Sequence, residues 1–269
     1  MTTCSARRHL ASTSALQYEV MFDEHGRCNP HGLKSDVCPP NRAYYLAKPF
    51  VNYRDRLSRL KHAGLKTEIT VDEFEYWVEN LQARLKQTTV IANLARGILL
   101  PLVIPRTKDE DLGLIMEEYV ARASNALRNE FPHLEFLSSA PLTGRLVIEK
   151  GGRQERLISR LAQKSEVALY YPLALQGFSV DAQREQAGRF PSNLVLSGVR
   201  GTSIGIITYP DVLARDYHTP AYDCSAALAA NPTTCYCYKV ASPDVVSFFE
   251  RRGSSYAVGR HTGGLLFVA

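Results

Sequence analysis

The stretch Thr234-Cys-Tyr-Cys-Tyr-Lys-Val-Ala-Ser242-Pro-Asp-Val-Val-Ser-Phe-Phe-Glu-Arg251-Arg-Gly253-Ser-Ser-Tyr-Ala-Val-Gly259-Arg-His-Thr-Gly263-Gly-Leu-Leu-Phe-Val-Ala269 sets the expectation for the fold. Residues 235–240 alternate sides as a strand does. Ser242-Pro243-Asp244 then reads as a serine N-cap followed by proline in the first helical position. The helix predicted from it runs through Val246, Phe249 and Arg252, and Gly253 stops it. Residues 254–258 and 265–268 follow as a closing pair of strands.

Upstream, short β-branched or aromatic runs at 134–137, 144–149, 167–175, 193–199 and 204–209 lie between glycine and proline breakers and predict strands, with a helix over 156–164. The front of the chain differs. Residues 15–22 alternate well enough for a first strand, and 23–48 are rich in breakers, a long loop of the kind that often carries function. Phe50, Tyr53, Leu57 and Leu60 fall at helical spacing until Gly64. Thr70-Val-Asp-Glu73 is a capping box, followed by Phe74, Trp77, Val78, Leu81 and Leu85 on what reads as one core-facing side. A third helix spans about 109–131, its first-turn acids suited to the helix dipole. The order predicts an α+β fold with antiparallel sheets and helices on one face. The β–α–β–β–α–β ferredoxin-like unit fits best, used twice: a domain over 1–140 with a helical insertion at about 65–131, and a β-rich domain over 141–269.

Composition narrows the class. Of 269 residues, 45% are hydrophobic and 22% charged, which excludes disorder as the dominant state. The longest apolar run, 97–104, carries Pro101 and is about half of what a bilayer requires, so no membrane span is expected. Residues 1–14 show no secretory signal, and a cytoplasmic protein is expected. The six cysteines lack paired C-x-x-C spacing, so they are expected as thiols rather than zinc ligands, with no metal and no cofactor. The balance of 32 basic to 27 acidic residues gives a net charge of +5, compatible with nucleic acid without indicating it. After residue 140 the basic residues come in groups: Arg145, Lys150, Arg153, Arg156 and Arg160, then Arg184 and Arg189, then Arg251, Arg252 and Arg260.

Gly259, Gly263 and Gly264 surround Arg260-His261-Thr262. Such a turn can present successive N–H groups to phosphate oxygens, with Arg260 adding a charge-assisted fork; it can equally be a plain glycine-rich hairpin turn. A helix, a basic glycine-rich turn and Gly-Leu-Leu-Phe-Val-Ala at the end resemble the RAMP proteins of CRISPR systems, and among them the endoribonucleases that process repeat RNA. The match is close over 242–269 and elsewhere follows the order of elements; the large helical block is similar to the plasmid-associated type IV versions. The resemblance implies two ferredoxin-like domains and RNA binding by Arg251, Arg252, Gly259, Arg260, His261, Gly263 and Gly264. It also implies metal-independent cleavage, in which the ribose 2′-OH attacks its own 3′-phosphate and leaves a 2′,3′-cyclic phosphate and a 5′-OH.

In many members of that family the histidine acting as base follows the first strand. The matching region here holds His25 or His31 as base and Arg27 or Arg42 to neutralise the phosphorane; an arginine-only version would rely on Arg251, Arg252 and Arg260. Implied partners are CRISPR repeat RNA, the retained crRNA and other subunits of an effector complex. A non-cleaving RAMP subunit that binds crRNA is the alternative, and a ferredoxin-like protein serving protein contacts alone is a third reading. No P-loop, Rossmann fingerprint or nucleophile elbow is present.

Overall fold

The computed structural model describes residues 20–107, 111–139, 141–229, 231 and 233–269. Most of the strand expected over 15–22 lies outside the described residues; Phe22 makes an isolated antiparallel bridge with Cys28. Helix α1 (Tyr53–His62) starts at Asn52, whose side chain accepts from the Asp55 N–H, and the chain turns away at Gly64 with φ +75°. Helix α2 (Val71–Gln87) opens on the expected capping box, with Thr70 and Glu73 each satisfying a backbone N–H of the other. It buries Phe74, Val78, Leu81 and Leu85. Trp77 sits on the flank of that stripe and is 40% exposed, against the core position expected for it. A 3-10 helix (Ala92–Arg96) follows.

The apolar run after it forms β1 (Leu100–Ile104), every residue buried. Pro101 is tolerated because β1 is an edge strand bonded only to β4 (Glu166–Gln176). Then come α3 (Leu112–Glu130), β2 (Glu135–Ser138), β3 (Leu146–Val147) and α4 (Arg153–Leu161), ahead of β4. After β4 follow α5 (Val180–Ala187), β5 (Leu194–Leu196), α6 (Val199–Thr208), α7 (Pro210–Leu213), β6 (Ala221–Cys224), β7 (Leu228–Ala229), β8 (Thr234–Ser242), β9 (Val245–Arg252) and β10 (His261–Val268).

The fold is α+β, built on one mixed eight-stranded sheet in the order β1-β4-β10-β6-β8-β9-β2, with β5 also bonded to β10. Two separate ferredoxin-like sheets are therefore not what forms: β1 and β2, both from residues 1–140, are the two edges of a sheet whose centre comes from residues 141–269. Helix α3, whose 19 residues span about 28 Å at 1.5 Å each, lies between them in the chain and packs on α6, α7 and β2.

Three elements differ in type from the sequence reading. The helix expected after Ser242-Pro243-Asp244 is instead strand β9, Val245–Arg252. Ser242 pairs with Val245 and leaves Pro243-Asp244 as a two-residue hairpin connection, so the residues that resembled a helix cap make a tight turn. The Val-Val-Ser-Phe-Phe run beyond them has strand propensity. Residues 254–258 are correspondingly turn and loop rather than a strand. Residues 204–209, read as a strand, belong mostly to α6, which is buried along its whole length. A helix covered on every side has no polar face, so its 3.6-residue period is invisible in the sequence.

Candidate nucleic-acid interface

The loop 23–48 is pinned to the sheet at several points. Cys28 N–H donates to Ala174 O, Cys38 N–H to Gly177 O, Asn41 N–H to Gly259 O and Tyr45 N–H to His218 O. At its start the Asp23 carboxylate accepts from both His25 N–H and Arg27 N–H at 2.8 Å, an Asx-type turn. Gly26 takes φ +73°, and a Cβ there would lie 2.5 Å from the Gly97 nitrogen, so only glycine allows the loop to close on residue 97.

This closure forms a cleft of about 380 Å³ whose lining includes His25, Arg27, Arg42, Tyr45 and Arg96, with Tyr171 among its apolar residues. A neighbouring hollow of about 700 Å³ shares His25, Arg27 and Arg42 and continues beneath residues 28–40. Among the described residues no carboxylate lies within 4.0 Å of the Arg27, Arg42 or Arg96 guanidinium. Arg27 is half-buried; burial lowers its pKa, the Asp23 charge opposes this, and the nearby Arg42 charge adds to the lowering. An anion entering the cleft would relieve that burden. His25 is 63% exposed, its Nε2 3.6 Å from Glu24 Oε1.

Aromatic and basic groups continue along the rim. Arg215 stacks over Tyr45 at 5.3 Å, and the Tyr44 and Tyr217 rings are 6.3 Å apart. Hydrogen bonding to Arg260 is the main influence lowering the Tyr44 pKa; burial opposes it, while Tyr217 and the charges of Arg260 and Lys239 reinforce it. His31 stays apart: it lines neither hollow, and its carbonyl accepts from Arg189.

The remaining C-terminal candidates are placed differently from expectation. Gly263 and Gly264 lie inside β10, not in an exposed turn. A Cβ on Gly263 would meet the Gln183 side chain at 2.2 Å, and one on Gly264 the Tyr170 ring at 2.3 Å. Gly259 packs on residues 39–41, where a Cβ would lie 2.8 Å from Pro39 O. These glycines serve close packing rather than a phosphate nest. Gly264→Ala is accordingly expected to lose about 1–3 kcal/mol in urea unfolding; an unchanged midpoint would refute the tight Tyr170 packing. Arg252 lies on β9 opposite Thr234.

Arg251 and His261 belong to a buried network. Asp223, fully buried on β6, receives Arg251 Nη1 at 2.9 Å and His261 Nδ1 at 3.0 Å, with Gln183 Nε2 at 3.3 Å. Burial pushes the Asp223 carboxyl up, but His261 and Arg251 outweigh it and hold the pKa below its ordinary value. Arg251 is thus committed to Asp223 and to Tyr256 O, not free to grip phosphate. Asp223, Cys237 and His261 place ligand-type atoms within 4.8 Å of one another. Arg251 already holds the carboxylate, however, and burial drives the Cys237 thiol well above its ordinary range. A cation would have to displace a guanidinium and deprotonate a buried thiol, so the arrangement suits a structural network.

No protein-family model matches the chain, and no curated protein or solved structure gives a significant match. Two parts of this picture were not anticipated. Arg96 carried no motif, and only its place beside Gly97 hints at the cleft. Asp223 stands alone between apolar residues in Tyr222-Asp-Cys224, a charge in a buried strand that demands a partner.

Proposed function

We propose that the protein binds RNA through the arginine cleft and acts as a guide-RNA processing endoribonuclease of the CRISPR RAMP kind. The observation that carries this reading is the convergence of Arg27, Arg42 and Arg96 on one cleft with no carboxylate among its described lining residues. Guanidinium groups left unpaired in a concave, partly desolvated site suit phosphodiester oxygens, to which they can donate in pairs. Tyr45 and Tyr217, 49% and 40% exposed, offer faces on which unpaired bases can stack.

In the cleavage step the 2′-OH attacks the adjacent phosphorus, the P–O5′ bond breaks, and the leaving oxygen takes up a proton. In this reading His25, which lines the cleft beside Arg27 and Arg42, accepts the 2′-OH proton, while Arg27 and Arg42 neutralise the dianionic phosphorane. No metal enters this step. The product guide RNA stays bound by the same arginines and so can enter a larger RNA-guided complex. Incubation with a hairpin repeat RNA in EDTA tests it: a 2′,3′-cyclic phosphate end is expected, with His25→Ala slowing cleavage by about 10²–10⁴-fold while leaving binding near wild type.

A second reading, a crRNA-binding subunit that does not cut, is favoured by one observation. The His25 ring is largely solvent-exposed, and among the described residues its ring nitrogens meet only Glu24, at 3.6 Å, with no hydrogen bond to orient them for in-line chemistry. Tight binding without scission in the same assay establishes that reading; failure to bind RNA refutes both.

A further inference from the structure

Arg153, Arg156 and Arg160 occupy positions i, i+3 and i+7 of α4 and so share one face. With Arg84 in the last turn of α2, they line a pocket of about 450 Å³ where α2, α4 and the loop before β5 meet. Among the described residues no acidic side chain lines it; Ser192 and Asn193 are among its polar groups. Two of the arginines are anchored. Arg153 donates to the carbonyls of Ala187 and Phe190, and Arg160 donates to Glu166 Oε2 at 3.1 Å and Ala269 O at 2.7 Å. The other two are not neutralised: among the described residues neither Arg84 nor Arg156 has a carboxylate within 4.0 Å, and Arg156 reaches only Gly151 O.

The groups left open define what would fill the pocket. Burial first, and the Arg156 charge second, lower the Arg153 pKa while the Glu149 charge opposes them, and among the described residues only Arg160 of these four arginines is paired with an acid, Glu166. The exposed Arg84 and Arg156 guanidiniums ask for anionic oxygens, and the exposed Ser192 hydroxyl beside them offers a partner to a ligand hydroxyl. A phosphate joined to a hydroxylated sugar supplies both, and the volume falls within the roughly 300–1,000 Å³ of small-molecule sites.

We propose that this pocket binds the phosphate and ribose hydroxyl of a ribonucleotide, at a site distinct from the cleft of His25, Arg27 and Arg42. The ribonucleotide is either free or one residue of a bound RNA; only the latter case rests on the RNA reading above. The test compares the full chain with the Arg84→Gln/Arg156→Gln variant, both replaced side chains being exposed, and a melting curve first verifies that the variant is folded. Each protein is titrated with adenosine monophosphate by calorimetry and with a repeat RNA over a salt series.

The variant is expected to lose at least about tenfold in affinity for the nucleotide, the RNA or both. Loss for both, or for RNA alone, with a salt slope smaller by about 0.7 per phosphate no longer neutralised, assigns the pocket to the RNA strand. Loss for adenosine monophosphate with RNA binding unchanged assigns it to a free nucleotide. Wild-type behaviour of the variant toward both probes, or no binding of either probe by the wild type, overturns the proposal. The RNA reading fails separately: the wild type then binds no RNA, whatever the nucleotide titration gives.

Discussion

Asp223→Ala is expected to lower stability by about 3–5 kcal/mol and the melting temperature by roughly 6–20 °C for a chain of this size. Two effects add. The carboxylate receives Arg251 and His261 in a site with no exposure of its own, so its removal leaves a guanidinium that is only 10% exposed without its counter-charge. The site also joins three strands: Asp223 lies on β6, Arg251 on β9 and His261 on β10. Loss of the carboxylate loosens the middle of the sheet rather than an edge. Thermal unfolding followed by circular dichroism measures the effect; a melting temperature within about 2 °C of wild type would mean that Arg251 is not held as described.

The same residue fixes a pH signature. A carboxyl whose folded pKa is depressed contributes stability that is fully present above its unfolded value, about 3.9. That contribution is lost as pH falls through the folded value. The stability gap between wild type and Asp223→Asn should therefore stay constant from about pH 5 upward and narrow only below about pH 4. A gap that closes between pH 5 and 7 would place a different group in control.

How far the sequence could be read follows from where each signal resides. The capping box at Thr70 and Glu73, the stop at Gly64 and the strand through Tyr170 depend on local chemistry, and they form as expected. Ser242-Pro243-Asp244 illustrates the opposite case. The same three residues can cap a helix or make a tight turn, and the pairing of β9 with β8 and β2 selects the turn. Those strands are residues 234–242 and 135–138, and the latter lie more than a hundred positions away in sequence. The joining of both halves into one sheet was hidden for a related reason. The run Leu100–Ile104 is too short and too uniformly apolar to declare its type until β4 is available beside it.

The candidate site divides along the same line. His25, Arg27 and Arg42 sit together on the breaker-rich loop to which the family resemblance pointed, whereas His31, offered on the same ground, lines neither hollow. Arg96 was not legible, since it enters only through the approach of Gly26 to Gly97. Arg251 and His261 were misassigned to RNA because a basic residue in sequence gives no sign of a buried acid waiting in another strand. Gly263 and Gly264 misled similarly: the small side chain serves the Tyr170 ring and the Gln183 amide, not a ligand.

That distinction makes the Arg27→Ala/Arg42→Ala variant the sharpest test of the cleft. Each guanidinium offered to a phosphate is worth roughly tenfold in affinity, so the double replacement is expected to weaken RNA binding about a hundredfold. The slope of log affinity against log salt should fall by about 1.4, at 0.7 for each single-strand phosphate that an arginine no longer neutralises. Stability should hold within about 0.5 kcal/mol, because neither side chain is ion-paired in the folded protein and their mutual repulsion is removed along with them. Arg251→Ala should show the reverse pattern, a lower melting temperature with little change in the salt slope of whatever folded protein remains. Filter binding across a salt series, run beside melting curves for both variants, separates an arginine that meets solvent and phosphate from one that balances a buried carboxylate. Should Arg27→Ala/Arg42→Ala bind RNA with wild-type affinity and slope, the unpaired charges of the cleft face something other than a phosphate backbone.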